Sequence, residues 1–264
     1  MGLKKLGVAL AVAAAFAAPQ SALAQTDVQV ELALLVDVSG SVDSNEFLLQ
    51  RNGYRDAFLN PVIQAAFEAG RTAAITVVYW SSVGQQSVVV PWTLINSAAA
   101  AASFANAIGA TSRIFSGGTD PHAAINFVTP LFNSNSFDSL RQIIDVSGDG
   151  AGSASLTAAA RNAALASGID QINGLPILGE SGLLAFYQNN IQGGANSFTE
   201  PAASFSDFGD AILLKLGREI VNPPDLPPVN PIPEPETYAL MGAGLAALGF
   251  ISRRRKNQKG TASA

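Results

Sequence analysis

The chain has no cysteine and a single histidine, His122. The first absence removes thiol nucleophiles, disulfide cross-links and Cys-ligated zinc, and the second leaves almost no imidazole for proton transfer. Charge is sparse, at 13% of residues, and cations are scarcest in the middle of the chain. Two of the 15 Lys and Arg precede residue 6 and five follow residue 252, so residues 26 to 225 hold eight bases against 18 acids, a net charge near −10. A body this acidic does not suit nucleic acid or an anionic membrane surface. No apolar run reaches the roughly 20 residues of a comfortable bilayer span.

What is present begins with the two ends. Lys4 and Lys5, an apolar stretch from Gly7 to Ala18, and Ala22-Leu23-Ala24 have the order of an export signal with an A-x-A cleavage site. We expect residues 1–24 to be removed and the mature chain to begin near Gln25. At the other end, "NPPDLPPVNPIPEPE" (222–236) holds seven prolines and reads as an extended spacer. Tyr238 to Ile251 then gives 14 residues without charge, followed by Arg253-Arg254-Arg255-Lys256, a basic cluster that fits a cytoplasmic stop. The expected organisation is a domain over 25–221, a linker over 222–236, an apolar and basic segment over 237–256 and a tail over 257–264.

Within the domain, apolar runs alternate with helical stretches. Glu31 to Val36 reads as a buried strand, and Ser44 to Asn60 as a helix ended by Pro61, with Asp43 and Glu46 spaced as a capping box. "AAITVVYW" (73–80) and "SVVVPWTLI" (87–95) read as a hairpin through Gly84. An Ala-rich helix is expected over 97–109, another from Pro121 with Asp120 as its cap, a strand over 140–147 and a helix over 156–166 closed by Gly168. A strand over 169–178 and a helix over 205–221 complete the order. This alternation predicts an α/β fold: a mostly parallel central sheet with one antiparallel edge strand and helices on both faces. Sites in such sheets lie beyond the carboxyl ends of the strands, where Asp37 falls.

The stretch "LALLVDVSGSVDSNEF" (32–47) ends a buried strand with Asp37, Ser39 and Ser41 at every second position. Alternate side chains of an extended segment share a face, so the three oxygens can converge. Hard oxygens suit a hard cation. "SGGTDPH" (116–122) and "VSGDGAGS" (146–153) place Thr119 and Asp149 in loops expected on the same sheet edge.

These residues resemble the von Willebrand factor type A (VWA) family, whose metal ion-dependent adhesion site (MIDAS) takes D-x-S-x-S from the first strand end, a threonine from a second loop and an aspartate from a D-G turn. The resemblance spans residues 28 to 220. It implies the VWA/Rossmann-like form of the fold and Asp37, Ser39, Ser41, Thr119 and Asp149 as metal ligands. It also implies a divalent cation, Mg2+ in first place with Mn2+ or Ca2+ as alternatives. "VVVPWTLI", "IDVSGDG" and "NGLPI" are similar to stretches of a bacterial subgroup of exported, uncharacterised VWA-like proteins. Asp120 stands where the family usually has an uncharged residue; it caps the following helix or joins the outer metal shell.

Other readings fit less well. An EF-hand loop starting at Asp37 needs Gly sixth and Glu twelfth, where Val42 and Leu48 stand. A haloacid dehalogenase-like phosphatase, the enzyme alternative, needs a second acid two residues after Asp37 and another after the later GDG, where Ser39 and Ser153-Ala154 occur. A serine hydrolase would have to use His122, expected to be exposed and structural in the first turn of a helix, and G-x-S-x-G is absent. Asp145, inside a predicted strand, needs a partner and is expected to pair with a loop, Arg141 or Arg161. Trp80 and Trp92 are expected to pack in the core or at the sheet edge.

Pro233-Glu234-Pro235, the short apolar segment and the arginine cluster resemble the PEP-CTERM sorting signal, which is recognised by an exosortase-type membrane protease. Together the two resemblances imply a non-enzymatic, exported adhesion module of a Gram-negative bacterium. It would engage an Asp or Glu of a protein or matrix ligand through the metal, held briefly at the inner membrane by its C-terminal segment and then delivered to the cell surface or exterior. A structural matrix component is the remaining alternative.

Overall fold

A computed structural model of the protein describes residues 25–221. Its centre is a six-stranded sheet in the order β4-β3-β2-β6-β7-β8. The parallel strands are β2 (Val30–Asp37), β3 (Ala73–Trp80), β6 (Gln142–Gly148) and β7 (Gln171–Pro176). β4 (Gln86–Ile95) pairs antiparallel with β3 and forms the predicted hairpin edge. At the far edge β8, only Gly193–Gly194, pairs antiparallel with β7. Away from the sheet, β1 (Thr26–Val28) and β5 (Phe137–Ser139) form a small parallel pair, which three-residue strands give no periodicity to announce.

β2 is buried at every position, and its alternate residues enter two separate cores. Leu32, Leu34 and Val36 pack with side chains of α1 (Ser44–Leu59), α2 (Pro61–Glu68), α3 (Ala98–Gly109) and α7 (Phe208–Leu216), including Phe47, Phe58, Ile63, Phe104 and Ile212. Ala33 and Leu35 pack on the other face with α4 (Pro121–Val128) and α5 (Ala154–Ala166), and with Tyr187 and Ile191 of the wide helical turn that follows α6 (Leu183–Phe186). A strand buried on both faces must be apolar in both registers, which explains the continuous run "LALLV" in place of alternation. The predicted helix over 44–60 ends as expected, but Pro61 also opens α2, capped by Asn60 through its side chain and Val62 N. The capping box of α1 forms: Asp43 Oδ1 accepts from the amides of Asn45 and Glu46, and Glu46 Oε2 accepts from Asp43 N.

Burial settles the other polar expectations. Asp145, fully buried in β6, pairs neither with Arg141 nor with Arg161 but with Lys215 Nζ of α7 at 2.9 Å. Lys215 also contacts Glu219 Oε1, which accepts from Asn173 Nδ2 of β7 at 2.6 Å, and it lies 5.1 Å from the centre of the Phe198 ring. Arg161 instead donates to the carbonyls of Asn189 and Gln192. Trp80 is fully buried, and Trp92 packs edge-on against Phe132. Among the described residues no helix is long and apolar enough to cross a membrane; the segments read as export signal, linker and apolar tail lie outside them.

Candidate metal centre

Three loops meet at the carboxyl edge of the sheet. β2 ends at Asp37, and Val38 N extends the pairing by one step to Trp80 O at 2.9 Å. The chain then turns at Gly40, whose amide donates to Gly117 O at 2.7 Å. A Cβ on Gly40 would stand 3.0 Å from Ser116 O, so a glycine lets the first loop lie backbone to backbone on the second. The second loop is fixed in turn by Ser81, which accepts at its carbonyl from Asp120 N and donates from Oγ to Gly118 O at 3.0 Å. The third loop follows β6, and Gly152 lies under Pro121 and Thr119 O, where a Cβ would come within 2.6 and 2.9 Å.

These contacts draw Asp37, Ser39, Ser41, Thr119 and Asp149 into one cluster. Ser39 Oγ and Ser41 Oγ are 3.1 Å apart, Thr119 Oγ1 donates to Ser39 Oγ at 3.2 Å, and Ser41 Oγ donates to Asp149 Oδ1 at 2.7 Å. Asp37 Oδ1 accepts from Ser39 N at 2.7 Å. Asp37 and Ser39 are buried, Thr119 and Asp149 half-buried, and Ser41 exposed, so the cluster opens outward.

Asp37 is the electrostatic centre of this arrangement. Burial pushes its carboxyl up to about 7, and the Asp149 charge adds to the rise, while polar contacts with Ser39 and the Asp149 backbone oppose it. Its Oδ2 is buried and has no hydrogen-bond partner. Gly148 closes that side: a Cβ there would lie 2.7 Å from Asp37 Oδ2 and 2.9 Å from the Tyr187 hydroxyl, which is likewise buried and without a hydrogen-bond partner. A carboxylate oxygen with no donor, beside three hydroxyls and a second carboxylate, is the donor chemistry of a hard divalent ion, so the residues present fit one. Among the described residues no three His, Cys, Asp or Glu side chains gather as a metal cluster, in keeping with a donor set rich in hydroxyls.

Two neighbouring expectations change. Asp120 makes no capping hydrogen bond to α4; its Oδ2 accepts from Val83 N at 3.1 Å, tying the second loop to the β3–β4 turn. His122 is half-buried rather than exposed, with Nδ1 3.8 Å from Asp120 Oδ1. Tyr187 escaped sequence reading altogether, because one tyrosine among apolar helical residues carries the same signal as any core aromatic.

A family model described as "Protein of unknown function (DUF1194)" matches residues 27–224, and the PEP-CTERM protein-sorting motif matches residues 231–256. No curated protein matches the chain. Among solved structures, the pilus adhesin SpaC from Lactobacillus rhamnosus GG superposes with a TM-score of 0.56 at 18% identity, over 72% of this chain and 30% of that one. Proximal thread matrix protein 1 from the mussel byssus gives 0.51 at 16% identity, over 72% and 47%. A von Willebrand factor type A protein from Catenulispora acidiphila gives 0.48 at 16%, over 73% and 43%. At such identities the first two share the fold, and this chain spans less than half the length of each of these three structures.

Proposed function

The chain belongs to the DUF1194 family, and we propose that its domain is a binding module that engages a carboxylate of a protein or matrix ligand through one divalent cation. The PEP-CTERM motif makes it an exported protein, anchored to the membrane before processing. The observation that carries the reading is the buried, unpartnered Oδ2 of Asp37 within an outward-opening cluster of four further oxygens.

Asp37, Ser39, Ser41, Thr119 and Asp149 would hold the ion. Three of the five donors are neutral, so the two carboxylates no more than balance a bound Mg2+, which would supply a coordination position open to an incoming Asp or Glu. The protein's own part is positioning. The Ser39 amide fixes the Asp37 carboxylate, the Gly40–Gly117 contact sets the distance between first and second loops, and exposed Ser41 leaves the outer side clear. Binding of this kind breaks no bond. We assign processing to an exosortase-type protease acting near Pro233-Glu234-Pro235, with delivery to the surface or exterior of a Gram-negative cell. The fold-level likeness to an adhesin and to a thread matrix protein agrees with a role in attachment.

Calorimetry on the purified exported protein tests the metal. Mg2+ or Mn2+ should bind the parent and bind Asp37→Ala far more weakly; equal affinity would refute the ligand set. A pull-down from the native surface fraction in Mg2+ and in chelator should then capture partners in the first condition alone.

A further inference from the structure

The surroundings of the five oxygens are asymmetric. On the β6–β7 side lies a cavity of about 460 Å3 that includes Asp149 in its wall. Leu49 of α1, Leu178 and Phe205 give it apolar surface, and Glu46 and Glu180 give it carboxylates. Glu180 borders the cluster directly: a methyl on Gly150 would lie 3.3 Å from Thr119 Oγ1 and 3.6 Å from Glu180 Oε2. On the β3–β4 side a second cavity, of about 380 Å3, is lined by Gln85, Ile114 and the guanidinium-bearing Arg113. The sheet order puts β2 and its site between the two, so the surface runs from one cation to two acids across the cluster.

We propose that the groove beside Asp149 takes a lysine or arginine side chain of the ligand, next in line to the carboxylate that the metal engages. This rests on the metal-dependent reading above and narrows its partner to an extended peptide with an acid and a base a few residues apart. A long basic side chain matches the groove in both its parts. Its methylene stem covers Leu49, Leu178 and Phe205, and its charged head reaches Glu46 or Glu180. A purely apolar side chain would leave the two carboxylates facing it desolvated and unpaired, and an acidic one would add to their repulsion. Both glutamates are held in place, since Glu46 Oε2 accepts from Asp43 N and Glu180 Oε2 accepts from Ala151 N at 2.8 Å.

Those two hydrogen bonds also define the test, because glutamine accepts both and removes only the charge. Random hexapeptides would be selected against the exported full chain in Mg2+, in chelator, and with the Glu46→Gln/Glu180→Gln variant in Mg2+. The expected result is enrichment of Asp or Glu in Mg2+ alone, accompanied by Lys or Arg within three positions. The base should improve affinity by about three- to fivefold, the scale of a solvent-accessible ion pair, and its enrichment should vanish with the double variant. Metal-dependent enrichment of acids with no preference for a base, or a base preference that survives in the variant, overturns this inference and leaves the metal reading standing. No metal-dependent enrichment of acids overturns both.

Discussion

Replacing Lys215 with methionine probes the most heavily charged part of the interior. Asp145, Lys215 and Glu219 are all buried, with a formal net charge of −1 when both acids are ionised. Lys215 Nζ lies 2.9 Å from Asp145 Oδ1 and contacts Glu219 as well, so one cation serves two carboxylates. Lys215→Met keeps the length and the apolar stem but leaves both acids uncompensated. Removal of one partner from a buried pair costs about 3–5 kcal/mol. With a urea dependence of roughly 2 kcal/mol per molar for a domain of this size, the unfolding midpoint at pH 8 should fall by about 2 M. The loss should shrink on acidification, because burial already holds the Asp145 carboxyl up at about 7 despite the lysine, and without it protonation is easier still. The triple change Asp145→Asn, Lys215→Met, Glu219→Gln removes every charge, while the amide oxygen introduced in place of the Glu219 carboxylate can still accept from Asn173, and it should recover most of the stability. Urea unfolding followed by far-ultraviolet circular dichroism decides the matter. A single variant within about 1 kcal/mol of the parent at pH 8, or a triple variant no better than the single, would refute the reasoning.

Three further outcomes are expected. Gly148→Ala should press a methyl onto Asp37 Oδ2 and the Tyr187 hydroxyl, destabilise by about 1–3 kcal/mol and weaken Mg2+ binding; calorimetry showing parental affinity would contradict it. Burial raises the carboxyls of Glu31, Asp37 and Asp145 in the folded state, those of the two aspartates to about 7, so the stability they contribute is complete below their unfolded values near 4 and is lost as the pH rises through the folded values. The metal-free protein should therefore withstand more urea at about pH 5.5 than at about pH 8, and a flat profile would count against those shifts. Intact-mass measurement of the exported protein should find a chain that ends near residue 235 without Arg253 to Arg255; a product reaching Ala264 in its final location would make the tail a permanent anchor.

The oxygen cluster was legible because its signals are local. Period-two spacing puts Asp37, Ser39 and Ser41 on one face, and glycine turns after β6 and before α4 hold Asp149 and Thr119 at the same sheet edge. The alternation of buried runs with helices likewise gave the sheet, its parallel centre and the hairpin edge. What escaped depends on contacts between distant segments. Lys215 occupies an apolar helical face where a lysine reads as a surface residue, and only the packing of α7 against β6 gives it Asp145. Asp120 precedes a proline at a helix start, the usual place of a cap, yet the turn carrying Val83 claims its carboxylate. β1 and β5 are too short to show a period, and Glu31 holds β5 by accepting from Ser139 Oγ at 2.9 Å.

That lower sheet also fixes which way the protein faces. β1 runs beneath the amino ends of β2 and β6, and Gln29 N is bonded to Thr72 O just before β3 begins. Val221, the last described residue, meets the same level, where its carbonyl accepts from Arg71 at 3.2 Å. Both ends of the domain therefore leave from one pole, while the five oxygens occupy the other, about 26 Å away along the eight residues of β2. On the proposed role, a tether on the C-terminal side would pull on the pole away from the five oxygens. Tension between a cell and its attachment would run lengthwise through the parallel strands, loading the β2–β3 and β2–β6 ladders in shear, where their hydrogen bonds resist together rather than one at a time.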